Sequence, residues 1–378
     1  MNNRTIKIAL AGVGSCASSF VQAVTSGRDA VIDRQPGVMY PEIGGYRLSD
    51  LECVAAFEVD ANKIGCDLAD ALRRPPTAAV QHVHVPDTGV IVRPGPVLDG
   101  IGGRLVGVVE VDERARQATI EDVAAELRRT GAEVLVCLLP TGSVKAVQAY
   151  ARACIATGTA FVNATPESVA NDPDLASAFA ERGIPLLGDD LRSHLGATTL
   201  HTALLDLLLG RGLAIKDTYQ LNVGGNTDFL NLADPLRSAT KQTSKRRALS
   251  NAGIDATDVA AGPNGYVKYL GDRKVCFLRI EAESIIGAPV SMEIRLEVED
   301  SPNAAAVLAS AVRIARVAAD QGRSGVIDAV CAFLFKSPPV GMTESSGLDS
   351  FREFIAAAAS HSWQDSLRAA ELEIARLA

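Results

Sequence analysis

The amino-acid sequence predicts an α/β protein in which a doubly wound parallel sheet is joined to a smaller α+β unit. Three observations carry that expectation. Short apolar runs alternate with helix-period segments up to about residue 212, the pattern of parallel strands covered on both faces. A glycine-containing turn joins the first run to the first helical segment. Beyond residue 212, inward and outward residues alternate singly, as in strands with one exposed face.

Residues 6–11 form the first buried strand, followed by the turn Gly12-Val13-Gly14 and an apolar helical stretch through Val24. Residues 27–50, rich in Gly, Pro, Asp and Arg, read as an inserted loop, and 53–57 make a second strand ending in Glu58. Helical segments at 119–130, 143–157 and 174–182 precede strands at 134–139, 160–162 and 185–187, which implies right-handed βαβ crossovers. Strands at 218–223, 275–280 and 290–296 make the second unit mostly antiparallel. Helical periodicity returns at 303–321 and 346–376, so the expected organisation is 1–212 completed by 301–378, with 213–300 as the second domain.

Composition narrows the function. A net charge of −8 and a pI near 5.3 speak against broad capture of nucleic acid or an anionic membrane, which need a basic surface. An anionic substrate then needs a local cluster of cations. Seven cysteines without CxxC spacing fit reduced thiols in a cytoplasmic protein, and no apolar stretch is long enough to suggest a signal or a membrane span.

The Gly12-Val13-Gly14 turn lacks the third glycine of GxGxxG, with Ala17 or Ser18 near that place. Its position between strand and helix is what suggests dinucleotide binding, because N–H groups at a helix start favour a pyrophosphate. Glu58 at the end of the second strand is the candidate acceptor for ribose hydroxyls; the insertion accounts for its distance from the turn. Residues 139–143 and 163–166 follow later strands, where ligands sit in doubly wound folds, although capping by Ser143 would also explain the first. Gly188-Asp189-Asp190-Leu191-Arg192-Ser193-His194 again links strand to helix; it suits a lysine partner and a phosphate seat, or a cap and surface ion pair. Lys241 and Lys245 share a face if their segment is helical, Lys274 precedes an apolar strand, and Lys336 has an apolar neighbourhood that depresses an amine pKa. Taken singly, each lysine also fits a structural role. No His, Cys, Asp and Glu set has metal-ligand spacing, so no metal is expected.

Together and in this order, these segments resemble the inositol-phosphate synthase family in its shorter bacterial form. The resemblance runs from about residue 5 to about 356, through GVGxCASS at 12–19, VAAFEVDANKIG at 54–65, LPTGS at 139–143, GDDLRSHLGAT at 188–198, LNVGGNTDFLN at 221–231, KQTSK at 241–245, GDRK at 271–274 and FKSPP at 335–339. It implies a Rossmann-like domain, an α+β catalytic and oligomerisation domain, a homotetramer, and NAD as cofactor. Gly12, Gly14, Ser15, Cys16, Ala17, Glu58, Pro140, Thr141, Gly142, Asn163, Asp189 and Asp300 would touch the cofactor. Ser193, His194, Leu195, Gly196, Asn226, Thr227 and Asp228 would hold the hexose 6-phosphate, with Lys241, Lys245, Lys274, Lys336 and Asp190 catalytic.

The implied reaction is oxidation at C5, enolisation at C6, aldol closure and re-reduction, with Lys274 and Lys336 as fixed cations and proton donors and Lys241 and Lys245 serving deprotonation and phosphate contact. Departures surround the sugar: the family usually has Gln at His194, Lys at Arg192, Val at Thr141, Leu-Pro-Val at Thr165-Pro166-Glu167 and Met at Thr227. Retained lysines beside a more polar pocket leave two substrates in view. Glucose 6-phosphate closing to myo-inositol phosphate is favoured as the family's usual case; fructose 6-phosphate closing to a five-membered carbocycle is the alternative. A plain NAD-dependent dehydrogenase and a non-catalytic cofactor-binding regulator are the other classes.

Overall fold

The computed structural model describes residues 4–29 and 36–359. The chain begins with β1 (Ile6–Ala11), α1 (Ser15–Asp29), the hairpin β2 (Glu42–Ile43) and β3 (Tyr46–Arg47), and β4 (Leu51–Glu58). There follow α2 (Leu68–Ala71), β5 (Arg93–Pro94), α3 (Glu113–Gln117), α4 (Ile120–Thr130), β6 (Val134–Cys137), α5 (Val144–Thr157), β7 (Ala160–Asn163), α6 (Pro173–Glu181), β8 (Pro185–Leu187) and α7 (Ala197–Gly210). The second sheet and its helices are β9 (Ala214–Gly224), α8 (Thr227–Leu232), α9 (Pro235–Asn251), β10 (Ala261–Tyr266), β11 (Arg273–Glu283) and β12 (Pro289–Glu299). The chain then returns through α10 (Asp300–Asp320), β13 (Gly325–Val326) and α11 (Asp328–Leu334), and 344–359 is helical.

Seven parallel strands make the main sheet in the order β13-β8-β7-β6-β1-β4-β5. The strand order reverses between β1 and its neighbours β4 and β6, so the crevice at their carboxyl ends is where such a fold takes a ligand. β6, β7 and β8 are buried at every position because helices cover both faces, and apart from Asn163 at the end of β7 their sequences are apolar, as that requires. The second sheet runs β10-β9-β11-β12; β9, β11 and β12 pair antiparallel as expected, and β10 lies parallel to β9.

Two apolar cores result. The larger packs α1 and α10 against the main sheet, and α10 touches β6, β7 and β8. The smaller joins α7 and α9 to β11 through Leu205, Leu249, Cys276 and Ile280. The helical periodicity at 303–321 corresponds to α10, whose apolar residues belong to the larger core.

The insertion at 27–50 differs from a plain loop: α1 extends to Asp29, and the β2–β3 hairpin is pinned to α10. Tyr46 donates to Asp320 at 2.7 Å, and buried Arg313 donates to the carbonyls of Tyr40 and Pro41 at 2.9 and 3.2 Å. The helix expected at 346–376 is present as far as 359, and its remainder lies outside the described residues. Among the described residues no helix is long and apolar enough to cross a membrane.

Ile314 sits fully buried on α10 within the larger core. Ile314→Ala is expected to cost about 2–5 kcal/mol of folding stability, read as a fall in the urea midpoint at unchanged slope.

Candidate active site

The crevice above β1, β4 and β6 opens into one cavity that continues under the second sheet. Gly12 and Gly14 form its floor. Gly12 has φ +95°, and a Cβ there would meet the carbonyl oxygen of Leu138 at 2.9 Å, so only glycine lets the β1 and β6 loops approach this closely. Around Gly14 the Cβ position is open, facing space that a ligand's phosphates would fill. Cys16 lies in the first turn of α1; burial, then the charges of Asp300, Asp272 and Asp228, push its thiol up to about 12, which disfavours the thiolate. Glu58 reaches back from β4 and accepts from the N–H groups of Val13 and Val59, both at 2.8 Å, one on each carboxylate oxygen. Each oxygen keeps a lone pair for a further donor.

Lys63 was not singled out from the sequence, although it lies within the 54–65 segment. It is buried, lines the cavity, and donates to the Val13 carbonyl at 2.6 Å and to Thr77 at 3.0 Å. With the bond from Ala78 N–H to Ser15 at 2.8 Å, it straps residues 76–78 across the glycine turn. Tyr150 of α5 also lines the cavity, over Gly95, whose absent side chain makes room for its hydroxyl.

The cationic end is assembled from three places far apart in sequence. The segment 189–192 pairs with 334–337: Asp189 and Ser337 exchange backbone bonds at 3.2 and 3.0 Å, and Lys336 N–H donates to the Asp190 carbonyl at 2.7 Å. α9 lies across this pair, started by Asp234 as N-cap and Pro235 in its first turn. Asp190, fully buried with φ 60°, then accepts from Lys336 at 2.8 Å and Lys241 at 3.1 Å on one oxygen, and from Ser244 at 2.5 Å on the other. Lys274, at the start of β11, pairs with Asp300 at 2.8 Å. Asp300 is set there by Asp272, whose carbonyl takes the Asp300 N–H and whose carboxylate takes Ser301 N–H and hydroxyl at 3.1 and 2.7 Å. Lys245, one turn beyond Lys241, meets no carboxylate among the described residues.

The electrostatics divide the four amines. Burial raises the Asp190 carboxyl, but Lys241 and Lys336 outweigh it and hold it well below the usual carboxylate range. Burial disfavours the Lys241 ammonium too, yet Asp190 and Asp228 raise its pKa above the ordinary lysine value. Lys274 is raised because Asp300 outweighs its burial. Lys336 is lowered to about 8, first by burial and then by Lys241 and Lys274, with Asp190 opposing. Lys245 is pushed well below its ordinary value by burial and by Lys274 and Lys336. One carboxylate facing two ammonium groups, Lys336 buried and Lys241 half-buried, cannot hold both protons firmly.

Most of the residues singled out from the sequence line this cavity: Gly12, Gly14, Ser15, Cys16, Ala17, Glu58, Pro140, Thr141, Asp300, Ser193, Asn226, Thr227, Asp228 and the four lysines. Asp190 stands behind the lysines. Gly142 and Asn163 brace the wall, Gly142 N–H donating to buried Glu167 at 2.7 Å and Asn163 Nδ2 to Asp189 at 2.7 Å. Asp189 itself departs from expectation. Its two oxygens accept five donors from Asn163, Val169, Ala170 and Asn171, which fold the 163–171 loop around it and turn it away from the cavity. His194, Leu195 and Gly196 also depart. The bonds from His194 and Leu195 N–H to the Asn303 carbonyl and Oδ1, at 3.0 Å each, bend the turn toward α10. His194 then faces a small side hollow with Met39 and Glu344, Leu195 is exposed, and Gly196 caps α7.

A parallel sheet with a glycine turn at its strand-end crevice, met there by lysines from α9, from β11 of the second sheet and from the segment after α11, defines a Rossmann-like enzyme with a polycationic active site. The chain is 40% identical over 364 residues to inositol-3-phosphate synthase of Corynebacterium glutamicum, covering 94% of this chain and 99% of that one, and 41% identical over 358 residues to that of Mycolicibacterium smegmatis, covering 93% and 98%. It belongs to the inositol-3-phosphate synthase family and is an enzyme of that family. The family profile described as myo-inositol-1-phosphate synthase matches residues 196–301. The crystal structure of Ari2 is 38% identical with a TM-score of 0.74, covering 94% of this chain and 99% of that one. Inositol-3-phosphate synthase of Caenorhabditis elegans, 17% identical with a TM-score of 0.77 over 94% of this chain and 86% of that one, shares the fold.

Asp189→Ala strands five donors in a buried loop. A loss of about 3 kcal/mol or more is expected, read by urea unfolding.

Proposed function

We propose that the protein is an NAD-dependent sugar-phosphate cyclase that converts glucose 6-phosphate to an inositol phosphate by C5 oxidation, C6 enolisation, intramolecular aldol closure and re-reduction. One observation carries the reading: four lysines, Lys245 and Lys336 buried and Lys241 and Lys274 half-buried, converge on a cavity that starts at a glycine turn, and Lys245 meets no carboxylate among the described residues. Four amines whose ion pairs among the described residues are confined to two carboxylates, Asp190 and Asp300, call for an anionic ligand, and a phosphate supplies it.

The residues present fit a dinucleotide. The open Cβ position at Gly14, the start of α1 and the free lone pairs of Glu58 match a pyrophosphate and a ribose. Gly12, Ser15, Cys16 and Ala17 would hold the phosphates through the backbone, and Pro140, Thr141 and Asp300 would flank the nicotinamide end. NAD, when bound, supplies the acceptor and then the donor of the C5 hydride. The Lys63 strap closes residues 76–78 over the glycine turn, where it would help retain the cofactor between the two halves of the cycle.

The amines take distinct parts. Lys241 and Lys274, each held charged by a carboxylate, stabilise negative charge that develops on the sugar oxygens. Lys336 is poised to take a proton from the sugar at its Nζ and to return it, since its pKa lies close to working pH. In this reading Lys336 serves as proton carrier rather than as both fixed cation and proton donor, and Lys241 as a cation rather than in deprotonation or phosphate contact, because Asp190 has one charge to share between them. Lys245 and Ser193, both in the cavity lining, seat the phosphate; a dianion there favours the charged form of Lys245 that burial disfavours. The added threonines do not redirect the site: Thr141, Thr165 and Thr227 donate to Asp228, Asn163 and the Pro76 carbonyl at 3.5, 2.8 and 3.1 Å. Glucose 6-phosphate therefore stays the favoured substrate.

The seven free thiols and the acidic charge support a cytoplasmic setting. The exposed sheet face bearing Tyr219 and Phe277 supports the homotetramer.

The decisive assay supplies NAD⁺ with glucose 6-phosphate or fructose 6-phosphate and identifies the product by NMR. A cyclitol phosphate formed without net NADH is expected; stoichiometric NADH with no carbocycle would make the protein a dehydrogenase. Lys274→Ala and Lys336→Ala should each lower turnover by roughly 10²-fold with NAD affinity nearly unchanged in a fluorescence titration. For the wild type, kcat/KM should rise with pH through a midpoint near 8, as Lys336 loses its proton, and a profile flat from about pH 7 to 9 would refute the proton-carrier role.

A further inference from the structure

Asp190 is flanked by more than its lysines. Ser244 donates to its second oxygen at 2.5 Å, and Ser337 donates to the Ser244 oxygen at 3.1 Å. All three side chains are buried. A hydroxyl has one proton, and Ser244 spends it on the carboxylate, so Ser337 supplies the donor in the second bond and the chain runs one way, from Ser337 through Ser244 to Asp190. Both serines neighbour catalytic lysines: Ser244 precedes Lys245 on α9, and Ser337 follows Lys336. Asp189 and Asn171 hold the backbone of Ser337, through Asp189 N–H and Asn171 Nδ2 at 3.2 and 2.7 Å to its carbonyl, so the chain has a fixed origin.

We propose that Ser244, oriented by Ser337, is a positioning residue that pins one Asp190 oxygen so that Lys241 and Lys336 must share the other, and that this sharing decides which amine gives up its proton. Without the Ser244 donor the carboxylate gains a free, more basic oxygen. The charged groups around Lys336 are Asp190 on one side and Lys241, Lys245 and Lys274 on the others. Lys241 already has Asp228 and Asp300 to hold its charge, so the released oxygen benefits Lys336 most. Its ammonium form is then stabilised, and a smaller neutral fraction remains at working pH. The sign follows: loss of the serine hydroxyl raises the Lys336 midpoint, and the limb of activity that depends on neutral Lys336 moves to higher pH.

The significance of that shift for turnover rests on the cyclase reading, but the proton itself can be read without turnover. The full chain is labelled with trace acetic anhydride across a pH series, and acetylation at Lys336 is quantified by peptide mass spectrometry. Exposed Lys216 serves as the internal reference. In Ser244→Ala the Lys336 midpoint should rise by about one pH unit, the size expected for one hydrogen bond to an ionised carboxylate. Ser244→Thr, which keeps the hydroxyl, should restore it, and Lys216 should not move. Ser337→Ala removes only the orienting donor and should give a smaller rise of the same sign; it also serves if Ser244→Ala does not fold. A Lys336 midpoint unchanged or lowered in a folded variant overturns the proposal, whatever happens to the rate. Failure of the wild type to cyclise either hexose phosphate would instead defeat the cyclase reading and leave the labelling result standing on its own.

Discussion

One buried carboxylate shared by two ammonium groups is the constraint on which the active site depends. Asp190 has no exposure, and its position is dictated by three separate pieces of chain: the loop after β8, the segment after α11, and α9. Desolvating one carboxylate and two amines is costly, and their attraction offsets this only while every lone pair is used. That requirement explains why Ser244 and Ser337 are buried beside it, and why Asp189 is wrapped by five donors on the other side of the same turn. The left-handed backbone at Asp190 is a strained state for a side-chain-bearing residue, tolerated where the surroundings over-determine it.

A second carboxylate centre couples the two sheets. Asp272 caps the start of α10, and its neighbour on that helix, Asp300, is the partner of Lys274 from the second sheet. Asp272 is raised to about 6 by burial, partly countered by its bond from Ser301, and by Asp300. The helix that completes the first core therefore also places a charge in the active site. Packing of α10 on the main sheet and the geometry around Lys274 are consequently one problem, not two.

Much of this was legible in the sequence where the signal is local. Parallel strands buried on both faces are continuous apolar runs, so β1, β6, β7 and β8 announced themselves, and the lysine spacing of 241 and 245 became a shared helical face once α9 formed. Long-range pairing left no local trace. β13 is two residues long and joins β8 after the whole second sheet has intervened. Nothing in two adjacent aspartates tells which one turns toward the lysines, and only the 163–171 loop decides it for Asp189. His194 follows a predicted phosphate turn, yet Asn303, more than a hundred residues on, bends it away. Lys63 was hidden for the opposite reason: a lysine in a polar stretch reads as solvent-facing until Val13 and Thr77 are seen to bury it.

The central claim is that Asp190 keeps Lys241 charged while leaving Lys336 able to be neutral. Neutron diffraction from crystals held at about pH 9, a unit above the Lys336 midpoint, counts the exchangeable hydrogens on each amine directly. The account predicts three on Lys241 Nζ, two on Lys336 Nζ and none on Asp190. Three on both amines, or a proton on Asp190, would contradict it.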